Sequence, residues 1–296
     1  MTRIESSTSS YSWNSPISED HALTPAPRSP TPVAFRWLGV AGFELVFEGA
    51  RLLADPFITR FPLRRALLGR VQPQAEEVAR RAPRADYILL SHAHWDHALD
   101  APEILRRGGV AYGSANTCRL LRAAGVGVGQ IVALPPEGGA WELGPFRVRA
   151  LAGSHMRVLG RPMQAGDLPA DLRPPLRARA YRMDDSYDFL IEAGGLRLLD
   201  WLSARAEGAP QADVLLVKPF HRADYYRELF VRVQPRLIVP IHWDRLTRPA
   251  WRRRAVAGEA PLPQRLNLWR FQRLAARLAP GARVIETDGL IYPGLV

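Results

Sequence analysis

The stretch Ser91-His92-Ala93-His94-Trp95-Asp96-His97 holds three of the chain's seven histidines and an aspartate. That concentration argues against a surface loop rich in histidine by accident. Imidazole nitrogen and carboxylate oxygen suit zinc, and also iron or manganese, when held in one small space. On a tightly turned loop His92 and His94 point the same way, while Asp96 and His97 face a second point. Such spacing is what two neighbouring cations require.

The elements that must position these groups share one feature. Tyr87-Ile88-Leu89-Leu90 is an apolar run that predicts a buried strand, so the cluster lies on the loop leaving its C-terminal end. Arg51-Leu52-Leu53-Ala54 predicts another strand, ending at Asp55 before a proline that stops the ladder. Asp55 either caps a turn or accepts the far N–H of a ligand histidine and so fixes its tautomer. Strands over 146–151, 196–199 and 236–241 deliver His155, Asp200 and His242, and one over 213–217 opens onto Lys218-Pro219-Phe220-His221. The spacing predicts further strands over 34–40, 43–47, 110–112, 131–134, 187–191 and 284–286. Helices are expected over 74–81, 99–107, 115–124, 223–233 and 267–278. His221 follows a strand end, as the other site residues do; it either faces substrate as an acid or hydrogen-bond donor, or is structural. Lys218 beside it either holds an anion or is solvated.

Composition bounds the rest. With 296 residues and 47% hydrophobic content, the chain can bury a sizeable core. Residues 1–31, rich in Ser, Thr and Pro and containing His21, predict a disordered lead-in to a domain over 32–296. Cys118 is the single cysteine, which excludes an internal disulfide and a Cys-based zinc site and fits a reducing compartment. No apolar run approaches the ~20 residues that cross a bilayer. The opening residues lack a charged start followed by an apolar core, so the expected location is the cytoplasm, and degradation of periplasmic antibiotics is not expected. The net charge of +11 admits nucleic acid, an anionic membrane surface or the arginine bias of a GC-rich genome. Residues 57–71 predict a short basic amphipathic helix, packed on its own domain or touching lipid as a peripheral lip. Residues 156–185, with arginines and no clean period, predict either a substrate rim or a surface loop.

The order His92-Ala93-His94-Trp95-Asp96-His97, then a lone His, a lone Asp and a final His, resembles the metallo-β-lactamase superfamily over roughly residues 34–290. The resemblance implies an α/β fold, a four-layer αββα sandwich with metals at one edge. Trp37-Leu38-Gly39, Leu53-Ala54-Asp55-Pro56-Phe57 and Ile241-His242-Trp243 resemble one branch. That branch holds ascorbate-phosphate lactonase-like and N-acylphosphatidylethanolamine phospholipase D-like enzymes. By position, the resemblance implies that His92, His94 and His155 hold one metal and that Asp96, His97 and His242 hold a second. It makes Asp200 the bridge and Asp55 the support behind a ligand. Two zinc ions are implied, with manganese or iron as alternatives. One departure bears on the bridge: the family places Gly-Asp before a small hydroxyl residue, whereas Leu199 and Trp201 flank Asp200 here.

The expected activity is hydrolysis of an ester, lactone or phosphodiester in a small or lipid-like anionic substrate. A metal-held hydroxide attacks, aligned by Asp96. Lys218 and the arginine-rich insert favour the anion. Two alternatives stay open. A nuclease acting on RNA or DNA suits the basic charge but lacks an RNA-gripping arm or a large insertion between Asp200 and His242. A catalytically retired metal-binding scaffold is supported by the Leu199 and Trp201 departure.

Overall fold

The computed structural model describes residues 33–158, 161–244, 262–285 and 291–293. The lead-in expected over 1–31 lies outside the described residues. In chain order, β1 (Ala34–Gly39), β2 (Gly42–Phe47) and β3 (Ala50–Ala54) form a meander. Then come α1 (Leu63–Leu68), β4 (Arg70–Val71), α2 (Ala75–Arg81) and β5 (Tyr87–Leu89). The one-turn α3 (Trp95–Ala98), α4 (Ala101–Leu105), β6 (Val110–Gly113) and α5 (Ala115–Ala123) follow. Next are β7 (Ile131–Ala133), β8 (Gly138–Leu143) and β9 (Phe146–Ala152), then short strands β10 (Arg157–Val158), β11 (Arg161–Pro162) and β12 (Leu176–Arg177). The chain continues through β13 (Tyr187–Ala193), β14 (Leu196–Trp201), β15 (Val214–Val217), α6 (Ala223–Val233) and β16 (Leu237–Pro240). It closes with α7 (Leu262–Leu278), β17 (Arg283–Val284) and β18 (Ile291–Pro293).

Two seven-stranded sheets result, ordered β18-β1-β2-β3-β5-β6-β7 and β17-β16-β15-β14-β13-β9-β8. Each has an antiparallel wing and a parallel wing, the latter being β3-β5-β6-β7 and β14-β15-β16-β17. Parallel neighbours need crossovers, and the crossover helices cover the outer faces. Ile88 and Ala111 pack with Ile104 and Leu121 on one side. Leu199, Leu215 and Ile238 pack with Tyr226, Phe230 and Phe271 on the other. Between the sheets, Phe35, Trp37, Phe43 and Leu45 meet Phe146, Phe189, Leu216 and Val239. The four layers are αββα, as the resemblance implied.

Coverage on both faces buries β2 along nearly its whole length. Its outward Glu44 is itself buried, neutralised by Arg36 at 2.8 Å and Arg51 at 2.9 Å. The strand β8 escapes sequence reading because Gly138-Gly139-Ala140 carries no apolar run; its hairpin with β9 holds it. The helix expected over 57–71 is only α1, with Leu67 and Leu68 exposed. The insert packs on the domain: β12 pairs with β4, and Leu168, Leu176 and Tyr181 bury against Phe57, Phe61 and Trp95. Among the described residues no helix is long and apolar enough to cross a membrane.

Gly42 connects this frame to the site. A Cβ there would stand 2.7 Å from the carbonyl oxygen of Asp55, so Gly42→Ala must push back the strand end that carries Asp55. Overpacking of this kind costs roughly 1–3 kcal/mol. A denaturant midpoint unchanged from wild type would contradict it.

Candidate metal centre

Six strand ends supply the site, and five of them leave their strands in the same direction. Asp55 follows β3, residues 91–97 follow β5, His155 follows β9, Lys218 follows β15 and His242 follows β16; Asp200 lies within β14. The start of β13 adds Asp188 from the opposite direction. The histidine loop is short because α3 begins at Trp95, so Asp96 and His97 sit on the first turn of a helix while His92 and His94 stay extended before it. That change of backbone divides the donors into two groups. In the first, ligand atoms of His92, His94 and His155 all lie within 4.8 Å of one another; in the second, those of Asp96, His97 and His242 do.

Hydrogen bonds fix the rings. Asp55 Oδ2 accepts from His97 Nδ1 at 2.6 Å and from the Ser91 hydroxyl at 2.5 Å, and Asp55 Oδ1 accepts from Ser91 N at 2.8 Å. With its Nδ1 proton committed to Asp55, His97 turns Nε2 toward Asp96 Oδ2 at 3.7 Å. His242 Nε2 approaches the same oxygen at 3.6 Å. Ser91 Oγ also lies 2.9 Å from His92 Nδ1. This support is one of the two roles the sequence allows Asp55; Ser91, inside the motif, carries no ligand signal because a hydroxyl is not a ligand type.

Three non-glycine residues with positive φ surround the site: Val40 at 51°, Asp55 at 40° and His242 at 60°. Each such conformation costs on the order of 1–3 kcal/mol and persists only where neighbours enforce it. The enforcement is visible. His242 N donates to Val40 O at 2.6 Å, Val40 N donates to Asp244 Oδ1 at 2.8 Å, and Asp55 N donates to Leu89 O at 2.9 Å. Arg60 faces Asp244 at 3.5 Å behind this clamp. Neither Arg60 nor Asp244 carries a ligand signal in the sequence.

Electrostatics separates the two groups. Burial, and then the neighbouring imidazoles His97, His94 and His155, push His92 well below the ordinary histidine range. Burial lowers His94 as well, and His155 to about 4. These lowered values favour the neutral rings, the form in which imidazole binds a cation. Burial would also lower His97, but Asp55 and Asp96 outweigh it and raise its pKa. Burial would raise Asp96, yet His97 and the hydrogen bond from His242 outweigh it and hold the carboxylate ionised.

Asp200 is buried but belongs to neither triad. Burial, with Asp55 and Asp188 nearby, raises its pKa well above the usual range. Both of its carboxylate oxygens, and His94 Nε2, are buried without a hydrogen-bond partner. Unpartnered buried polar atoms are costly, and a cation held with His92 and His155 would satisfy His94 Nε2. The residues present therefore fit metal. Leu199 and Trp201 point to the outer helices, in the cluster with Tyr226 and Phe271, so the departure beside Asp200 leaves its inward face alone.

His221 is not brought to the pocket that these donors line. Its ring stacks on Tyr225 at 3.9 Å, and burial, aided by Lys218, lowers its pKa to about 4. Lys218 does line that pocket, as does Asp188. Asp188 accepts from Leu202 N at 2.6 Å, from Ser203 N at 2.9 Å and from the Ser203 hydroxyl, and burial pushes it up to about 6. An acid between Tyr187 and Phe189 in a buried strand was the sequence signal for it.

Residues 50–243 match the family described as the β-lactamase superfamily domain, well over half of the chain. The chain belongs to that family. A UPF0173 metal-dependent hydrolase of Thermococcus onnurineus is 43% identical over 77 residues, 26% of this chain and 29% of that relative. The chain thus matches under a third of the length of that relative. Among solved structures, Igni18, a metallo hydrolase from Ignicoccus hospitalis, has a TM-score of 0.55 at 19% identity, covering 90% of this chain and 100% of its own. CmlA, a diiron β-hydroxylase from Streptomyces venezuelae, has a TM-score of 0.55 at 17% identity, covering 90% of this chain and 55% of its own. Both likenesses concern the superfamily fold.

The support of His97 by Asp55 can be measured. Asp55→Asn keeps the shape but replaces an acceptor of three hydrogen bonds with an amide. Loss of such a partner typically costs 10–100-fold in metal affinity, and chelator competition should read a fall of about that size in one of two sites. Unaltered affinity at both sites would show that Asp55 serves only the turn.

Proposed function

We propose that this domain is a metal-dependent hydrolase acting on an ester, lactone or phosphodiester. The observation that carries the reading is the pair of three-donor groups lining one pocket at the sheet edge. Two bound divalent cations supply Lewis acidity, neutralising charge on attacking and leaving oxygens and making water acidic. The chain's own groups do the rest. Asp96, kept ionised between His97 and His242, would orient the attacking water and accept its proton through the carboxylate oxygen not given to a cation. The neutral rings of His92, His94 and His155 would leave the cations electrophilic, and Asp200 is the further acid proposed to help hold them. Zinc is the proposed metal. Iron and manganese belong in the same trial, since a protein of this fold is named a diiron enzyme.

The finer placement, beside the lactonase-like and phospholipase D-like enzymes, is part of this proposal and rests on the stretches around Trp37, Asp55 and His242. The nuclease alternative has less support: between Asp200 and His242 stand only β15, α6, β16 and their connections. The deciding experiment loads the protein separately with zinc, manganese and iron and offers ester, lactone and phosphodiester substrates. Turnover of at least one class, abolished by chelation and restored by metal, is expected. Two tightly held metals without turnover of any class would favour the retired scaffold.

A further inference from the structure

We infer that Lys218 binds an anionic oxygen group of the substrate, a carboxylate or a phosphate, while the apolar part of that substrate lies against Met156, Met163 and Phe220. The site is the pocket of the hydrolase reading, on which the turnover arm of the test below rests.

Lys218 is the sole lysine or arginine among the described residues that line the pocket. Its ammonium makes no hydrogen bond or ion pair with any described residue. Acids do stand near it, but each is engaged elsewhere. Asp188 is taken by the Leu202 and Ser203 amides and the Ser203 hydroxyl. Asp96 faces His97 and His242, and Asp200 belongs with the metal donors. An enclosed ammonium with no acceptor in contact is costly, and burial, only partly offset by Asp188, Asp200 and Asp96, lowers its pKa.

The backbone under Lys218 is nonetheless built to hold it there. Buried Tyr226 donates its hydroxyl proton to Lys218 O at 2.6 Å and accepts from His221 N at 3.0 Å. That bond pins the turn leaving β15, and the stack of His221 on Tyr225 packs behind it. Among the insert's described arginines, Arg173, Arg177, Arg179 and Arg182 are exposed and none of these four lines the pocket. The expectation of an anion rests here on Lys218.

Size and polarity define the rest of the ligand. The enclosed space is about 200 Å³, below the ~300 Å³ at which drug-sized pockets begin. It takes the reacting head and its anionic group, leaving a longer chain to pass the rim. There Met156, Met163 and Phe220 are 47%, 44% and 46% exposed, and large side chains of that kind form an apolar lip.

The test titrates metal-bearing wild type, Lys218→Met and Lys218→Arg calorimetrically with hexanoate, hexyl phosphate and hexanol. A charge-assisted contact of this type is worth roughly 10–100-fold in affinity. Lys218→Met should weaken one or both anions by that factor while hexanol binding is unmoved, and Lys218→Arg should retain most of the affinity. Which anion responds more separates carboxylate from phosphate. The thermal midpoint of Lys218→Met should stay close to that of wild type, because no hydrogen bond or ion pair of the ammonium is removed. Equal anion affinity in wild type and Lys218→Met, no anion binding to wild type, or parallel loss of hexanol with a lowered midpoint would each overturn the inference.

A kinetic arm uses mono-4-nitrophenyl glutarate and 4-nitrophenyl pentanoate, which share a leaving group. The anionic-to-neutral ratio of kcat/KM should fall about 10–100-fold in Lys218→Met, mostly through KM. If wild type hydrolyses neither ester, these esters supply no support for the hydrolase reading, and the titration alone still decides Lys218.

Discussion

Asp96→Ala is expected to lower kcat/KM by roughly 10²–10⁴-fold, the range for removing a positioned proton acceptor. The side chain sits where two roles meet. Its Oδ2 lies 3.7 Å from His97 Nε2 and 3.6 Å from His242 Nε2, so it completes the second donor group. Burial alone would protonate it, but His97 and His242 hold it as the anion. Alanine removes donor and acceptor together, whereas Asp96→Asn keeps the shape and loses the charge. Comparing the two, with metal content measured for each, separates binding from proton transfer. Asp96→Asn with both metals retained and activity still lost would place the effect in proton transfer. Full activity in Asp96→Ala would end the mechanism.

Acidification is expected to strip the two donor groups of metal in order. A cation competes with protons for imidazole nitrogen, so a ring with a lowered pKa holds its metal to lower pH. His92, His94 and His155 are lowered, His155 to about 4. His97, raised by Asp55 and Asp96 against its burial, takes a proton at a higher pH than the ordinary histidine. Metal on Asp96, His97 and His242 should therefore leave first as pH falls from 8, and metal on the other three should leave well below pH 6. The folded state loses support in step, since metal at about a thousand times its Kd stabilises by about 4 kcal/mol. Metal analysis after dialysis at stepped pH, with thermal midpoints on the same samples, reads both. Simultaneous release, or release from the triple-histidine group first, would contradict the assignment of charge.

The first group also contributes to the fold of the metal-free protein, with the opposite sign to His97. A histidine held neutral in the folded state binds its proton only after unfolding, so between the ordinary pKa and about 4 the unfolded chain takes up more protons. Stability from His155 is thus present above that window and lost as pH falls through it. The raised His97 contributes in the other direction, with stability present at low pH and lost as pH rises through its folded value.

By itself, the sequence determined most of the long strands, the ends at which the donors stand and the identities of the donors. Apolar runs such as Tyr87 to Leu90 must be buried, and whatever follows them must emerge at an edge, so a motif placed there is legible without coordinates. The αββα layering was implied by the family resemblance of the motif order, and the two seven-stranded sheets with helices outside agree with it. What the sequence left undecided depends on contacts between segments far apart in the chain. The two donor groups are legible in the spacing, but the α3 turn beginning at Trp95 that separates them is not, and the burial of Asp200 with both oxygens unpartnered needed β13 and β15 on either side of it. The clamp of Asp244 and Arg60 on Val40 joins residues about two hundred positions apart, which no local pattern encodes. Lys218 and His221 are three residues apart and looked equivalent. Packing alone turned one toward the pocket and stacked the other on Tyr225, because Tyr226 on α6 holds the turn between them.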